Sequence, residues 1–292
     1  MPKDDALDRE LVRQRVVEWF SRHRRDLPWR RSTPWGVVVS EFMLQQTPVS
    51  RVLGPWQEWM DRWPEPDDLA AEEPGAAVAA WGRLGYPRRA QRLHRAARTI
   101  SELHDGQVPR ELDQLRALPG VGQYTAAAIH SFAFGGRAVV LDTNIRRLLV
   151  RVEHGREFPP VSATAQEWRE AEAWLPEAPA EAAAWAAASM ELGALVCTAR
   201  SPRCGDCPVA ELCAWRAAGY PRHDGPPRKG QAWHGTDRQC RGVILDLVRQ
   251  NPDGVRVELA LDAWADREQA ERSLAGLLTD ELVREREGLL VL

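Results

Sequence analysis

The chain has 292 residues, 44% of them hydrophobic, which is enough for about two domains with sizeable cores. Its basic residues comprise 37 Arg and only two Lys, at positions 3 and 229, so an internal lysine nucleophile or Schiff base is almost excluded. The net charge of −3 argues against a nucleic-acid binder, but Trp81–Arg156 carries 13 Arg against six Asp or Glu, a basic stretch able to hold a polyanion.

The hydrophobic pattern is helical along most of the chain, and Gly and Pro residues separate the segments. In chain order, helices are predicted at residues 7–22, 37–46, 49–63, 67–71, 76–84, 88–103, 112–117, 123–132, 143–151, 163–175 and 180–195. Strand signals are nearly absent. Many short helices joined by tight turns predict an all-α orthogonal array rather than a bundle of long helices.

The composition changes after residue 220. Residues 221–235 are rich in Pro and Gly without periodicity, which indicates a linker. Beyond it, helices at 241–250 and within 267–283 and a strand at 287–292 are typical of a small winged-helix-like module at 236–292. The sequence shows neither a signal peptide nor an apolar run long enough for a membrane span, so we expect a cytoplasmic protein without a membrane partner.

Four of the five cysteines lie close together with the spacing C-x6-C-x2-C-x5-C: Cys197, Cys204, Cys207 and Cys213. A disulfide framework is not expected in a large cytoplasmic chain. Four neighbouring thiolates need a cation to relieve their repulsion, and zinc or an iron–sulfur cluster can supply it. Zinc ribbons usually use two CxxC pairs, whereas only one is present here. The spacing therefore favours 4Fe–4S, with zinc as the alternative.

A glycine-rich turn at residues 118–122, Leu-Pro-Gly-Val-Gly, joins two predicted short helices. Two glycines around one apolar residue permit a tight turn with backbone N–H groups exposed at the start of the next helix, which suits a DNA phosphate. By itself, the turn could equally be an ordinary helix connection. The longer string LPGVGQYTAAAI, however, resembles the helix–hairpin–helix of the DNA glycosylase superfamily typified by endonuclease III.

This resemblance covers roughly residues 10 to 220 and implies an all-α, helix–hairpin–helix DNA glycosylase fold. It implies a six-helix barrel domain at 30–137 that carries the hairpin, and an iron–sulfur cluster domain built from residues 1–29 and 138–220. The cysteine spacing matches the superfamily's cluster site, so the resemblance implies a 4Fe–4S cluster held by the four cysteines. Zinc then becomes the lesser alternative.

Within the superfamily, Ser40–Thr47 (SEFMLQQT) is similar to the S-E-x-M-L-Q-Q-T signature of MutY-type adenine glycosylases. Leu84-Gly85-Tyr86 fits the same family, although Arg83 and Pro87 depart from its usual pattern. Bifunctional superfamily members carry a hairpin lysine where this chain has Tyr124. The resemblance therefore implies a monofunctional enzyme without Lys-dependent lyase activity, which excises adenine opposite 8-oxoguanine or guanine in base excision repair. Its partner would be double-stranded DNA, and it would act as a nucleoid-associated monomer.

Two carboxylates are the candidate catalytic groups. Glu41 lies in an apolar predicted helix, where burial is expected to raise its pKa and suit it to protonate adenine. Asp142 opens a helix, whose N–H groups are expected to keep it ionised beside an oxocarbenium-like sugar. Tyr124 and Asn144 would position the sugar, the leaving group or Asp142. The resemblance implies DNA contacts by Arg30, Gln45, Gln46, Thr47, Tyr86, Arg88, Arg89, Leu118, Gly120, Val121, Gly122 and Gln123.

The C-terminus departs from the family, because many members end in a Nudix-like domain that reads 8-oxoguanine. The 68 residues from Gly225 onward are too few and too helical for that fold. They could form a winged-helix-like module that grips DNA or a purely structural cap. Two other functions stay open: a thymine or uracil mismatch glycosylase, which typically differs at the catalytic glutamate, and a non-catalytic damage sensor, which would lack one carboxylate.

Overall fold

The computed structural model describes residues 7–225 and 233–292. Both lysines and part of the expected linker lie outside these residues. The described chain forms two compact units. The first contains residues 7–31, 110–112 and 122–225, and the second contains residues 32–109, 113–121 and 233–292. None of the helices in the described chain has the length and apolarity needed to cross a membrane.

The described chain is mainly α-helical, as the sequence predicted. The helices are α1 (Arg9–His23), α2 (Pro34–Leu44), α3 (Val49–Arg62), α4 (Pro66–Ala70), α5 (Pro74–Ala80), α6 (Arg88–Leu103), α7 (Leu112–Ala117), α8 (Gln123–Phe134), α9 (Thr143–His154), α10 (Ala165–Ala173), α11 (Pro179–Leu195), α12 (Ala214–Ala217), α13 (Asp237–Gln250), α14 (Val257–Asp262) and α15 (Arg267–Thr279). The strands are β1 (Val255–Arg256), β2 (Arg284–Arg286) and β3 (Leu289–Val291). Short 3-10 turns lie at Pro28–Arg31, Cys204–Asp206 and Ala210–Leu212.

Helix ends are fixed by local chemistry. The Thr33 side chain accepts a hydrogen bond from the Gly36 N–H at the start of α2, where Pro34 is the first helical residue. Thr164 and Glu167 form a reciprocal capping box at the start of α10. Gly135 and Gly155 end α8 and α9 in the left-handed conformation. These residues are visible in the sequence, which is why most predicted helix ends are close to the observed ones.

The core of the first unit forms where α1, α8, α9 and α11 pack together. Trp174 and Trp185 stack in this core with ring centroids 5.5 Å apart, and both are buried. α12 packs against α9, which places the cysteine segment beside the same helix. Apolar burial of this kind is the main stabilising contribution to an α-helical array.

The second unit contains α2–α6, which surround a core rich in tryptophan. Trp35, Trp59, Trp63 and Trp81 are all fully buried there, and the Trp35 indole N–H donates to the Trp63 carbonyl at 3.1 Å. Such donation satisfies the one polar atom of a buried indole. Apolar α2 lies within this core, so its side chains are held firmly in place.

The C-terminal module (residues 236–292) belongs to the second unit and has the predicted winged-helix-like arrangement. Its three helices are followed by a hairpin, and the antiparallel sheet has the order β1-β3-β2. Sequence analysis missed α14 and two of the three strands.

The predicted domain boundaries differ from the two units. α8 lies in the first unit, whereas the sequence placed it in the barrel domain at 30–137. The C-terminal module shares the second unit with α2–α6 rather than standing alone. The boundaries at 30, 138, 221 and 236 therefore stay a prediction.

Candidate functional site

Glu41 lies in the middle of α2 and is only 5% exposed. The side chains of Val37, Val38, Phe42 and Met43 on the same helix are also buried, so Glu41 lies in a buried, apolar segment. A charged carboxylate is costly in such a place, which makes this glutamate unusual for a helix residue. Its burial removes the simplest alternative, an ordinary solvent-facing glutamate.

The segment after α2 and the loop before α6 each contain an exposed residue with unusual backbone geometry. Gln46 has φ 56° and Tyr86 has φ 49°, both in the left-handed region. Side chains other than Gly and Asn rarely adopt this region because of steric strain. Tyr86 is 47% exposed despite its large ring. Strain at exposed polar and aromatic residues is typical of binding sites.

Arg89 holds these two segments together. Its guanidinium donates to the carbonyls of Phe42, Met43 and Gln45 at 2.6–2.9 Å, to Thr47 Oγ1 at 2.9 Å and to the Gly85 carbonyl at 3.0 Å. The residue is 4% exposed, and burial lowers its pKa to about 10. The Arg89 guanidinium faces the interior, and its contact with a DNA phosphate stays a prediction. Thr47 is also buried, and its hydroxyl accepts from Arg89.

Two further predicted phosphate ligands are already engaged in ion pairs. Arg30 pairs with Glu191 at 3.1 Å, donates to the Arg25 carbonyl at 2.6 Å and lies over the Phe20 ring. Arg88 forms an ion pair with Asp280 of the C-terminal module. A two-pronged hydrogen bond from either guanidinium to a phosphate would require it to give up contacts that it makes in this structure.

The hairpin turn has the geometry that its glycines predicted. Gly120 has φ +83°, and a Cβ there would lie 2.8 Å from Arg92 Cβ and 2.9 Å from Phe42 Cε1. Leu118 and Val121 are buried, while Gly120, Gly122 and Gln123 are exposed. The turn therefore presents its glycines and the start of α8 rather than its apolar side chains. Tyr124, on the first turn of α8, is half-buried against the core of the first unit.

Asp142 caps α9, as predicted. Its Oδ1 accepts from the Ile145 N–H at 2.7 Å and its Oδ2 from the Asn144 amide at 2.6 Å. Burial nevertheless raises the pKa of Asp142, outweighing these hydrogen bonds and the positive charge of Arg147, which lower it. Desolvation is therefore the larger effect on this pKa, while the cap and Asn144 favour the ionised form that the sequence predicted.

Sequence analysis missed the residue that positions Asn144. Arg147 donates to Asn144 Oδ1 at 2.8 Å and to the carbonyls of Gly193 and Cys197 at 2.7 Å each. A Cβ on Gly193 would lie 2.7 Å from Asn144 Cβ, so only glycine fits there. Asp142, Asn144 and Arg147 therefore form one connected hydrogen-bond chain. Its sequence signal was a set of arginines, at 146, 147 and 151, interleaved with the apolar residues of α9.

The four clustered cysteines line one cavity in the first unit. Burial raises the pKa of Cys207 to about 12 and also raises that of Cys213. Among the described residues, no group of three or more His, Cys, Asp or Glu side chains converges as ligands of a single metal ion. A cavity lined by four thiols provides the four ligands that a 4Fe–4S cluster takes.

Arg151, also missed from the sequence, contacts the cysteine cavity directly. It is 1% exposed, donates to Cys197 Sγ at 3.3 Å and to the Thr198 carbonyl at 2.9 Å, and lies 4.4 Å from the Trp215 ring. A buried cation beside a sulfur ligand lowers the cost of negative charge on that sulfur.

Comparisons with known proteins agree with this geometry. The family model described as HhH-GPD superfamily base excision DNA repair protein matches residues 39–172, and the iron–sulfur binding domain of endonuclease III matches residues 197–213. An adenine DNA glycosylase of Mycobacterium tuberculosis (strain ATCC 25618 / H37Rv) is 48% identical over 278 residues, which cover 94% of this chain and 91% of that protein. The chain belongs to the adenine DNA glycosylase family. Its four clustered cysteines fit the 4Fe–4S cluster that was predicted.

Other members of the adenine DNA glycosylase family match the chain to different extents. The Homo sapiens enzyme is 39% identical over 223 residues, covering 73% of this chain but only 40% of the human protein. The Mycolicibacterium smegmatis enzyme is 46% identical and matches 92% of each chain. Among solved structures, a thermostable thymine-DNA glycosylase has a TM-score of 0.65 at 25% identity, covering 72% of this chain and 97% of that one. An endonuclease III–DNA complex has a TM-score of 0.62 and confirms the fold.

Proposed function

We propose that this chain is a monofunctional DNA glycosylase that excises adenine mispaired with 8-oxoguanine or guanine. The observation that carries the proposal is the buried Glu41 within SEFMLQQT, in a chain of the adenine DNA glycosylase family. Thymine and uracil mismatch glycosylases typically differ at this glutamate. A damage sensor would lack one carboxylate, whereas Glu41 and Asp142 are both present.

In the proposed reaction, Glu41 donates a proton to N7 of adenine, so that the base leaves as a neutral molecule. The bond between N9 and C1′ of the sugar breaks, and positive charge develops at C1′. Asp142, in its ionised form, stabilises that charge directly or through a transient covalent adduct. Water then adds at C1′ and gives up a proton to the Glu41 carboxylate, which restores the acid and leaves an abasic site. A pair of carboxyl groups in different protonation states is a common solution for this chemistry.

Lyase activity is not expected from this active site. The hairpin residue where bifunctional relatives carry lysine is Tyr124, and the sequence has lysine only at positions 3 and 229. Without a lysine at this hairpin position, the active site offers no amine for a Schiff base, and we expect the abasic strand to stay intact. In a gel assay, the product strand should break only after alkali treatment, and cleavage without alkali would contradict this part of the proposal.

DNA would be bound by those residues that the sequence predicted as DNA contacts and that are exposed in the structure. The backbone N–H groups at the start of α8 suit a phosphate. Gln46 and Tyr86 are exposed and could contact the duplex at the mismatch once adenine is flipped out. We propose that Gln45 or Gln46 enters the minor groove and that Tyr86 stacks beside the base opposite adenine. We also infer that the protein acts as a monomer in the nucleoid, which light scattering at 32.9 kDa would test.

When bound, a 4Fe–4S cluster would supply the positive metal charge that the four thiolates require. Cys197, Cys204, Cys207 and Cys213 would hold it, and Arg151 would donate its hydrogen bond to Cys197 Sγ. The carbonyl of Cys197 is meanwhile bound by Arg147, which also holds Asn144. This arrangement keeps the α9 end that carries Asp142 in register with the cysteine segment.

The test is single-turnover excision by Glu41→Gln on duplexes containing A:8-oxoG, A:G, T:G and U:G. We expect the loss of the proton donor to slow adenine excision at least about 100-fold, while binding of the A:8-oxoG duplex is retained. Glu58→Gln, at an exposed position on α3, is the matched control and should excise normally. Full activity of Glu41→Gln, or wild-type preference for T:G or U:G, would overturn the assignment.

A further inference from the structure

The C-terminal module is unsuited to gripping DNA by charge. It carries eight Arg and twelve Asp or Glu, a net charge of −4. α15, the third helix of the winged-helix-like arrangement, holds two Arg and two Glu. A helix without net charge on a module of net negative charge does not attract a polyanion electrostatically. The module's contacts within its own unit indicate a different role.

One side of the module holds Arg83. Asp246 on α13 accepts from Arg83 Nη2 at 2.6 Å, and Gln250 donates to the same carboxylate oxygen at 2.9 Å. Arg83 is one of the two positions that depart from the usual family pattern around Tyr86. The departure thus introduces a cation at the point where the module offers a carboxylate, which gives the local change a physical reason.

The other side of the module holds the start of α6. Asp280, with an 8% exposed side chain, pairs with both Arg88 and Arg241. Although burial alone would raise the pKa of Asp280, hydrogen bonds from these two guanidiniums lower it overall. Gln91 adds hydrogen bonds to the carbonyls of Asp280 at 3.0 Å and Glu281 at 2.8 Å. These contacts form a connected polar network.

A third contact fixes the module in register. Arg249 is largely buried and donates from Nε to the Val78 carbonyl on α5 at 3.0 Å, and burial lowers its pKa to about 10. The chain terminus also packs against α5, because a Cβ on Gly75 would lie 2.7 Å from the Leu292 backbone. Contacts at α5, Arg83 and α6 together prevent the module from pivoting on either ion pair alone.

The two ion pairs stand at the two ends of the Tyr86 loop (residues 83–88). Tyr86 itself is exposed and has a strained, left-handed backbone. We propose that the C-terminal module is a positioning device that clamps both ends of the Tyr86 loop through Asp246 and Asp280, and so sets discrimination between 8-oxoguanine and guanine opposite adenine. This inference rests on the proposed function, in which Tyr86 stacks beside the opposite base.

The clamp gives an acidic module a role that a DNA-binding wing could not fill. It also explains why Arg83 and Arg88 are paired within the protein instead of serving as simple phosphate ligands. Strain at Tyr86 persists only when the surrounding structure holds both flanks of the loop. Loosening one flank would let the ring relax from the position that fits the opposite base, without touching Glu41 or Asp142.

The test uses charge reversal in the full-length protein. Asp246→Arg and Arg83→Glu, made singly, should each lower the kcat/KM ratio of A:8-oxoG over A:G about threefold, the range expected for one exposed ion pair. The double variant restores the pair with opposite polarity and should recover the wild-type ratio. Asp253→Asn, at an exposed position in the turn before β1, is the matched control for loss of charge on the module.

Hydrogen exchange of the amides at 84–87 provides a readout independent of catalysis. Faster exchange in both single variants, with recovery in the double, supports the clamp. Unchanged exchange, or faster exchange with an unchanged ratio, overturns it. If one single variant shows no cooperative melt and so does not fold, the other single variant and the double variant test the clamp. Absence of adenine excision by the wild-type protein from either duplex would instead defeat the proposed function, and the exchange measurement would still report on the clamp.

Discussion

At the scale of single residues, Asp142 shows how a functional group can oppose folding. Burial raises its pKa above the ordinary aspartate value, despite hydrogen bonds from Ile145 and Asn144 and the charge of Arg147 that lower it. A carboxyl whose pKa rises on folding favours the folded state below its unfolded pKa, and that contribution is lost as pH rises through the folded pKa. At neutral pH, its ionised form therefore costs stability.

Asp142→Asn should consequently make the protein more stable and less active. Asparagine caps a helix as well as aspartate does and carries no charge to desolvate. We expect a higher Tm than wild type at pH 7.5, a difference that disappears near pH 4, and excision of adenine at least about 100-fold slower. Thermal melts at the two pH values and single-turnover assays check this. A lower Tm at neutral pH would show that the capping charge outweighs its desolvation.

Arg89 is the residue whose removal should damage the second unit most. Its guanidinium donates to the carbonyls of Phe42, Met43 and Gln45, and also to the Gly85 carbonyl in the Tyr86 loop. Arg89→Ala should lower the free energy of unfolding by about 3 kcal/mol, because it leaves buried acceptors unpaired and opens a cavity.

Urea denaturation measures that loss. Arg95→Ala, at an exposed position on the same helix, is the matched control and should change stability by no more than about 0.5 kcal/mol. Equal stabilities for the two variants would mean that water hydrates the freed carbonyls, and that Arg89 does not hold the two segments together.

At the scale of elements, the two glycines of the hairpin turn look equivalent in the sequence but differ in the structure. Gly120 combines φ +83° with close contacts to Arg92 and Phe42, whereas Gly122 has φ −92° and open space where a Cβ would lie. Gly120→Ala should therefore destabilise the protein by about 2 kcal/mol, and Gly122→Ala by less than about 0.5 kcal/mol. Chemical denaturation of the two variants measures both free energies of unfolding. Equal losses of stability would show that the turn changes conformation to accommodate a Cβ at position 120.

The helices were largely predictable because their ends depend on local residues. α6 and α7 were predicted with the observed bounds, since Pro and Gly mark their limits. α14 and strands β1 and β2 were missed because elements of two to six residues show no measurable periodicity, and their stability comes from packing within the module.

Parts of the candidate site were equally visible in the sequence, and parts were not. The cysteine spacing, the capping Asp142 and the apolar setting of Glu41 are all local patterns. The buried arginines were not predictable, because Arg is usually exposed and its partners here lie far away in sequence. Arg89 binds carbonyls about 45 positions earlier, and Arg147 binds carbonyls about as many positions later.

At the scale of the whole molecule, six of the 13 Arg in the basic stretch Trp81–Arg156 are buried or paired with the C-terminal module. Arg89, Arg146, Arg147 and Arg151 are buried, and Arg83 and Arg88 pair with the acidic module. The net local charge of the sequence therefore overstates the number of phosphate contacts that the surface can offer. Exposed arginines such as Arg92, beside the hairpin turn, are the better candidates for electrostatic binding of DNA.

The salt dependence of DNA affinity distinguishes these two groups of arginines. Each phosphate contact that is lost reduces the slope of log K against log salt by about 0.9, whereas an arginine that does not touch DNA leaves the slope unchanged. Arg92→Ala should therefore lower the slope by about one contact. The double variant Arg284→Ala, Arg286→Ala, in strand β2 of the module, should leave it unaltered, because the module's net charge of −4 keeps it away from the backbone. Fluorescence anisotropy from about 50 to 200 mM salt, the range over which such slopes are resolved, makes the measurement. A reduced slope for the β2 double variant would show that the module binds DNA through this strand, despite its net negative charge.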